Sequence, residues 1–237
     1  MAASVDFHSA ATVEFLLDAE RRHYFLEMNT RLQVEHGVTE LVTGLDLVAW
    51  QIRVAAGEPI SDEVTEVTGR GHAIEVRIYA EDPYDGFRPT PGRITAWQMP
   101  AGPGVRVDAG VEADTDLRPE YDPLLAKLMV HAEDRPSAVD RLRRALDETH
   151  IGGVQTDAGF LRWLVDDAAF SGGEYDTGLI GERWGVDHPI GPEDAAMAAG
   201  AAVSARLATE VGRHRPTAAT DHGTGWGRVA RSEARRR

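Results

Sequence analysis

Cysteine is missing from this chain altogether, and lysine occurs once, at Lys127. The first absence excludes a disulfide framework and thiolate chemistry, and makes a reducing, cytoplasmic setting the expectation. The second is a bias toward arginine, since lysine and arginine together number 25. No run of 18 apolar residues occurs, and no N-terminal segment joins a basic start to an apolar stretch. Neither a membrane span nor a secretory leader is therefore expected. Positive charge is also scarce, with a net charge of −14. Seven arginines fall between Gly212 and Arg237 against Asp221 and Glu233, which leaves −19 on the rest. So acidic a body excludes general nucleic-acid affinity, and a tail whose one aromatic is Trp226 reads as solvated.

What is present is enough for a core: 237 residues, 42% of them hydrophobic, allow one large or two small domains. The most informative stretch lies near the start. Two strand-forming runs, Val13–Leu17 and Tyr24–Met28, flank the polar Asp18-Ala19-Glu20-Arg21-Arg22, a pattern that predicts a hairpin. A turn centred on Glu20 and Arg21 sets Asp18 opposite His23 and Glu14 opposite Glu27. Like charges in direct cross-strand register are destabilising, so two opposed carboxylates call for a cation between them. Mg²⁺ suits them, because it takes one or two protein carboxylates together with substrate phosphates. Period 2 places Glu27, Asn29 and Arg31 on one side, and Gln33 and Glu35 follow if the chain stays extended. A solvated edge-strand face would show the same alternation. Periodicity does not separate the two; residue identity does.

Phe25-Leu26-Glu27-Met28-Asn29-Thr30-Arg31-Leu32 resembles the signature of the carbamoyl-phosphate synthase and biotin carboxylase branch of ATP-grasp ligases. Arg31-Leu32-Gln33-Val34-Glu35-His36 with Val38-Thr39-Glu40 narrows the resemblance to biotin carboxylase. Gly71–Pro83, Pro89–Ile94 and Tyr121–Leu128 look like later blocks of the same family, so the similarity runs from about Val5 to Trp184. It implies an α+β fold: the C-terminal half of an ATP-grasp domain over residues 1–60, then a biotin carboxylase C-terminal domain over 61–184. An Ala/Gly/Arg-rich helix and linker tail fills 185–237, with Pro192–Val211 as the helix and Thr217–Thr224 as linker.

Local patterns agree with such a fold. Val38–Thr43 and Leu47–Ala56 read as helices, separated by Gly44, with Asp46 as N-cap of the second. His72–Glu81 alternates, placing Ile74, Val76 and Ile78 on one face and Glu75, Arg77 and Tyr79 on the other. Pro89–Arg93, Ile94–Met99 and Val105–Ala109 suggest a meander, and Leu124–Val130 an apolar strand. Pro136–Thr149 is an amphipathic helix, and Asp157–Phe170 a second one stopped by Gly172-Gly173. The family has proline where Gly37 stands, so the joint between strand and helix is expected to be loosened here.

The resemblance also implies chemistry: carboxylation of biotin with bicarbonate and ATP, through carboxyphosphate. By it, Glu14 and Glu27, with Asn29 as a weaker third, hold Mg²⁺ (or Mn²⁺), and Leu16 contacts the nucleotide. Arg31, Gln33 and the Val34 backbone hold bicarbonate, for which a guanidinium offers paired donors. Glu35 is the general base, and Arg77 stabilises the enolate-like oxygen of biotin. A surface ion pair of Arg31 with Glu35, and pairing of Arg77 with Glu75 or Glu81 in the sheet, are the plainer alternatives. Tyr121-Asp122 reads as a turn cap, and His36 as locally bonded. Lys127 lies in the strand block and lacks the preceding methionine of a biotin-carrier motif, so it reads as structural. Biotin must then ride on another chain or domain. The implied partners are an N-terminal biotin carboxylase half, a biotin carrier and a carboxyltransferase of an acyl-CoA carboxylase, with a homodimer also expected. The altered lead-in His8-Ser9-Ala10-Ala11, together with Gly37, supports the alternative of a non-catalytic remnant serving as a dimerisation or interaction module.

Overall fold

A computed structural model describes residue 4 and residues 7–184, all of which fall in one compact unit. The expected tail helix and linker lie outside the described residues. The chain opens with a hairpin of β1 (Thr12–Leu17) and β2 (His23–Asn29), followed by α1 (His36–Thr43), α2 (Leu47–Ala55) and the single turn α3 (Asp62–Thr65). Then come β3 (His72–Tyr79), the short β4 (Glu81–Asp82), β5 (Arg88–Pro89) and β6 (Gly92–Arg93), and β7 (Ala96–Gln98). After β8 (Val105–Ala109) and β9 (Asp116–Leu117), the long β10 (Leu124–Ala132) leads into α4 (Arg135–Asp147). The described part closes with β11 (His150–Gly152), α5 (Ala158–Asp166), α6 (Ala168–Gly172) and α7 (Leu179–Arg183). This is a mixed α+β arrangement, as expected.

The central sheet has the order β3-β10-β8, antiparallel throughout. Its alternation makes two unlike faces. Ile74, Val76 and Ile78 meet Leu128 and Val130 on one face, under Val139, Leu142 and Leu146 of α4 and Phe160, Leu161 and Val165 of α5. Ile78, Leu128 and Leu142 are almost wholly out of solvent. Burying each such side chain stabilises the fold by about 1.5–3 kcal/mol. Asp134 caps α4 by accepting the Ser137 N–H at 2.9 Å. The opposite face carries Glu75, Arg77, Lys127, Arg106 and Asp108, and α1 packs against it. That face positions the site.

Four expectations change. The strands between Arg88 and Ala109 do not form a meander: β6 pairs with β9, β7 with β11 and β8 with β10. Prolines at 89, 91, 100 and 103 lack the N–H a ladder needs, which keeps these strands short and their neighbours distant in sequence. The helix expected over Asp157–Phe170 is broken at Asp167, whose extended backbone (φ −67°, ψ 131°) lets its carboxylate cap Ala169 and Phe170. In the hairpin, Leu17 rather than Asp18 faces His23, because a bulge near Leu26 shifts the register between Phe15 and Glu14. Asp18 instead shapes the turn, accepting from the Arg22 N–H at 2.8 Å, with Arg21 in the left-handed region at φ 62°. Finally, the extended chain ends at Asn29, and residues 33–35 turn into α1.

Candidate active site

The bulge brings Glu14 and Glu27 into direct register, as expected, though not by the expected count. Their carboxylates meet at a single side chain. Asn29 Nδ2 donates to Glu14 Oε1 at 2.9 Å and to Glu27 Oε1 at 2.9 Å. Two like charges thus share the two hydrogens of one amide, which offsets their repulsion locally without neutralising it. The set offers oxygen ligands from two carboxylates and one amide, a donor type that suits a hard divalent cation. Among the described residues no group of three or more His, Cys, Asp or Glu forms a metal cluster. A cation at this hairpin would therefore draw its remaining ligands from elsewhere, in the manner of Mg²⁺ bound with substrate phosphate.

Beyond Asn29 the chain leaves the ladder and forms a turn held from several directions. Arg31 Nη1 donates to Gln33 Oε1 at 3.0 Å and to the Leu32 carbonyl at 3.3 Å. The Gln33 carbonyl lies 2.8 Å from His36 Nδ1 and accepts the His36 N–H at 3.3 Å, so His36 is bonded locally. The Val34 carbonyl accepts from Lys127 Nζ at 3.0 Å. Glu35 stands at the N-cap of α1, yet its side chain does not cap the helix. Its carboxylate goes instead to Arg77 Nη2 at 3.0 Å, 42 positions away on β3. Arg77 also donates to the Tyr79 hydroxyl at 3.4 Å, and that bond, with Glu35 beside it, holds the guanidinium firmly protonated.

Not every candidate joins this cluster. Leu16 faces Tyr24 across the hairpin and is 59% exposed. Asp122 caps its turn by accepting the Leu124 N–H at 2.8 Å, and Tyr121 is exposed. Gly37 does not loosen the joint. It is buried in α1, and a Cβ there would overlap the Met129 sulfur, so the missing side chain leaves room for the Met129 side chain of β10.

Three groups on the polar face gain their partners or their burial only in the structure: Arg106, Lys127, which the sequence reads as structural, and Glu75. Arg106 grips Asp108 with two bonds of 2.9 Å and Glu40 of α1 with one of 2.6 Å. Lys127 lies 3.3 Å from Asp108 Oδ2. The Glu75 carboxylate is sealed from solvent with neither oxygen hydrogen-bonded, and burial pushes its pKa up against the opposing charges of Lys127 and Arg77. Alternation along β3 is legible in the sequence; that α1 covers this face is not.

The paired carboxylates of the hairpin, the turn after them and the mixed-charge sheet face lie in a fold of the ATP-grasp class. Residues 1–63 match the carbamoyl-phosphate synthase L chain ATP-binding domain, and residues 75–182 match the biotin carboxylase C-terminal domain. Biotin carboxylase of Nostoc is 48% identical over 178 residues, covering 75% of this chain and 40% of that protein. The propionyl-CoA carboxylase alpha chain of Ruegeria pomeroyi is 40% identical over 256 residues, covering 95% of this chain and 37% of that one. Among solved structures, the biotin carboxylase domain of a thermophilic 2-oxoglutarate carboxylase bound to bicarbonate has a TM-score of 0.74 at 43% identity. It covers 78% of this chain and 42% of that one. A dimer of the Hydrogenobacter thermophilus domain with MgADP, ADP and bicarbonate gives 0.75 at 43%, over 78% and 41%. The chain belongs to the biotin carboxylase family and carries its C-terminal portion. It spans 40% or less of the length of the curated relatives it matches.

Proposed function

We propose that this chain supplies the metal- and bicarbonate-binding part of a biotin carboxylase within an acyl-CoA carboxylase. One observation carries the proposal: the acidic side chains of neighbouring strands meet at a single amide, immediately ahead of a turn that ends in a carboxylate–guanidinium pair. Glu14, Glu27 and Asn29 would hold Mg²⁺, or Mn²⁺ in its place. Bound there, the cation would neutralise charge on the phosphoryl group of ATP as it transfers. Leu16, on the same hairpin, would contact the nucleotide.

Arg31, steadied by Gln33, would offer bicarbonate its paired donors, with the Val34 backbone completing the pocket. Glu35 would take the bicarbonate proton, so that the oxyanion attacks the terminal phosphoryl group and ADP departs. Carboxyphosphate then collapses to CO₂ and phosphate; the phosphate removes the ureido proton of biotin, and the ring nitrogen adds to CO₂. Arg77 would hold the developing negative oxygen of biotin. In the structure Glu35 and Arg77 hold each other, so each must be released as its substrate arrives.

The division at residues 60 and 184 belongs to this reading, as does a cytoplasmic setting. No helix of the described residues is long and apolar enough to cross a membrane. Phe15, Leu16, Leu17, Tyr24, Phe25 and Leu26 of the hairpin are each between 49% and 59% exposed. An apolar surface of this kind supports cover by further polypeptide, which we assign to an N-terminal biotin carboxylase half. The biotin carrier and carboxyltransferase would lie on other chains, and a homodimer is included in the proposal. The remnant reading drew on Gly37 as a loosened joint, and the packing of Gly37 against Met129 removes that support.

Bicarbonate-dependent ATP hydrolysis with free biotin, measured with and without an N-terminal half supplied in trans, tests the proposal. Activity is expected only with the added half, and Glu27→Gln and Arg31→Met should abolish it. Turnover by the chain alone overturns the need for a partner half. Equal turnover in both variants overturns the site.

A further inference from the structure

Lysine is the one cation type this chain hardly uses, and its single example stands in the middle strand of the polar sheet face. Lys127 is the direct cross-strand partner of Arg77 on one side and of Asp108 on the other. Its side chain is 12% exposed, and its ammonium touches two oxygens: the Val34 carbonyl at 3.0 Å and Asp108 Oδ2 at 3.3 Å. Asp108 cannot yield easily, since Arg106 grips both its oxygens at 2.9 Å and is itself tied to Glu40 of α1 at 2.6 Å. Arg77 of β3 and Asp108 of β8 flank Lys127 across the strands, and the Glu75 carboxylate feels the charges of Lys127, Arg77, Glu35 and His36 together.

A peptide group is planar and trans, so a held carbonyl fixes the direction of the N–H on the far side of the same plane. In the turn after Arg31 two successive carbonyls are held. His36 holds that of Gln33, which aims the Val34 N–H away from α1. Lys127 holds that of Val34, which aims the Glu35 N–H away from β10 and sets the Cα from which the Glu35 side chain leaves. A compact ammonium with three donors can serve a carbonyl and a carboxylate in a narrow slot, where a planar guanidinium would need a wider one. A lysine is thus the fitting residue here in a chain that otherwise uses arginine.

We propose that Lys127 is a positioning residue for the anion-binding turn: its ammonium holds the Val34 carbonyl and thereby sets the Glu35 peptide and the base it carries, while Asp108 and Arg106 hold the ammonium. The inference deepens the bicarbonate reading above and rests on it for its effect on the anion, though not for its effect on the turn. It assigns Lys127 no contact with substrate.

The test uses the full chain and two measurements. Hydrogen exchange follows the Val34 and Glu35 amides without any anion, and titration with ¹³C-labelled bicarbonate follows binding. In Lys127→Met, exchange at those two amides should rise at least about fivefold while the amides of Leu128 and Val130 stay protected, and bicarbonate affinity should fall about tenfold, the scale of one lost charged hydrogen bond. Asp108→Asn, which frees the ammonium without removing it, should move both readouts the same way by less, and it serves if Lys127→Met does not fold. Lys127→Arg should not restore the wild-type values. Unchanged exchange at Val34 and Glu35 overturns the proposal whatever the anion does. Faster exchange there matched by equal losses along β10 also overturns it, because the lysine would then be holding only the strand. Arg31→Met as control separates the two claims: undiminished bicarbonate binding in that variant defeats the bicarbonate reading, and the exchange result still decides the role of Lys127.

Discussion

Arg77 Nη2 lies 3.0 Å from Glu35 Oε2, joining β3 of the central sheet to the turn that follows the hairpin. Their side chains are 39% and 57% exposed, and an exposed pair of this kind contributes only about 0–1 kcal/mol. Stability therefore does not account for the contact. Arg77→Met should lower the melting temperature by no more than about 4 °C. In the enzyme completed with an N-terminal half, it should slow biotin carboxylation by about 10²–10³-fold, the scale of a lost oxyanion donor. Bicarbonate-dependent ATP cleavage without biotin should change far less. A thermal melt and the two assays decide between a structural and a catalytic arginine; equal loss in both assays would exclude a role confined to biotin.

The pair formed by Glu14 and Glu27 predicts the opposite sign for stability. Each carboxylate accepts from Asn29, but the two remain like charges in direct register. Glu27→Gln removes one charge and should stabilise the free chain by about 0.2–1 kcal/mol. Added Mg²⁺ should raise the melting temperature of the wild type and leave that of Glu27→Gln unmoved. Glu20→Gln, on the hairpin turn, should keep the full Mg²⁺ response. Thermal melts with and without millimolar Mg²⁺ are sufficient, and a response retained in Glu27→Gln would remove the cation from this hairpin.

How far the sequence reveals this arrangement differs from one residue to the next. Alternation in His72–Tyr79 separates core from polar face correctly, because period 2 follows from strand geometry alone. The hairpin is legible from its charged interruption, yet its register is not. Counting from the turn pairs Glu14 with Glu27, which is observed, and also pairs Asp18 with His23, which is not. The bulge responsible lies in Phe25-Leu26, a run with no glycine or proline to mark it. Lys127 and Val34 are 93 positions apart, and nothing local to either announces the other. Alternation puts Glu75 on the polar face, and only the packing of α1 reveals that its oxygens are sealed.

Gly37 and Met129 make a case that can be tested by coupling. Met129 is fully buried, and its sulfur occupies the space a side chain at 37 would need. Gly37→Ala should therefore destabilise by about 1–3 kcal/mol, as overpacking of a filled interior does. Met129→Ala should cost about 2–5 kcal/mol through the cavity it leaves. Together they should cost less than their sum by about 0.5–3 kcal/mol, because each relieves the defect of the other. Urea unfolding of the four proteins measures the coupling, and strict additivity would mean that the sulfur moves aside freely.

Asp157 gives the fold a pH dependence of known sign. It is 5% exposed, and it accepts the Tyr79 N–H at 2.9 Å. Burial drives its pKa up to about 7 from 3.8, with the nearby Glu81 charge adding to the rise and the Tyr79 bond opposing it. Between those two values the folded chain holds a proton that the unfolded chain has released. Stability must then fall as pH rises through this window, by at most about 1.4 kcal/mol per pH unit from this group. Glu75, also shifted upward, acts in the same direction, so the difference between two proteins is the quantity to read. Asp157→Asn keeps an acceptor for Tyr79 and removes the charge. Its stability relative to wild type should therefore improve steadily from pH 4 to pH 7 and level off above. Urea unfolding of both proteins across that range checks the slope, and parallel curves would show that Asp157 is already ionised when the chain is folded at pH 5.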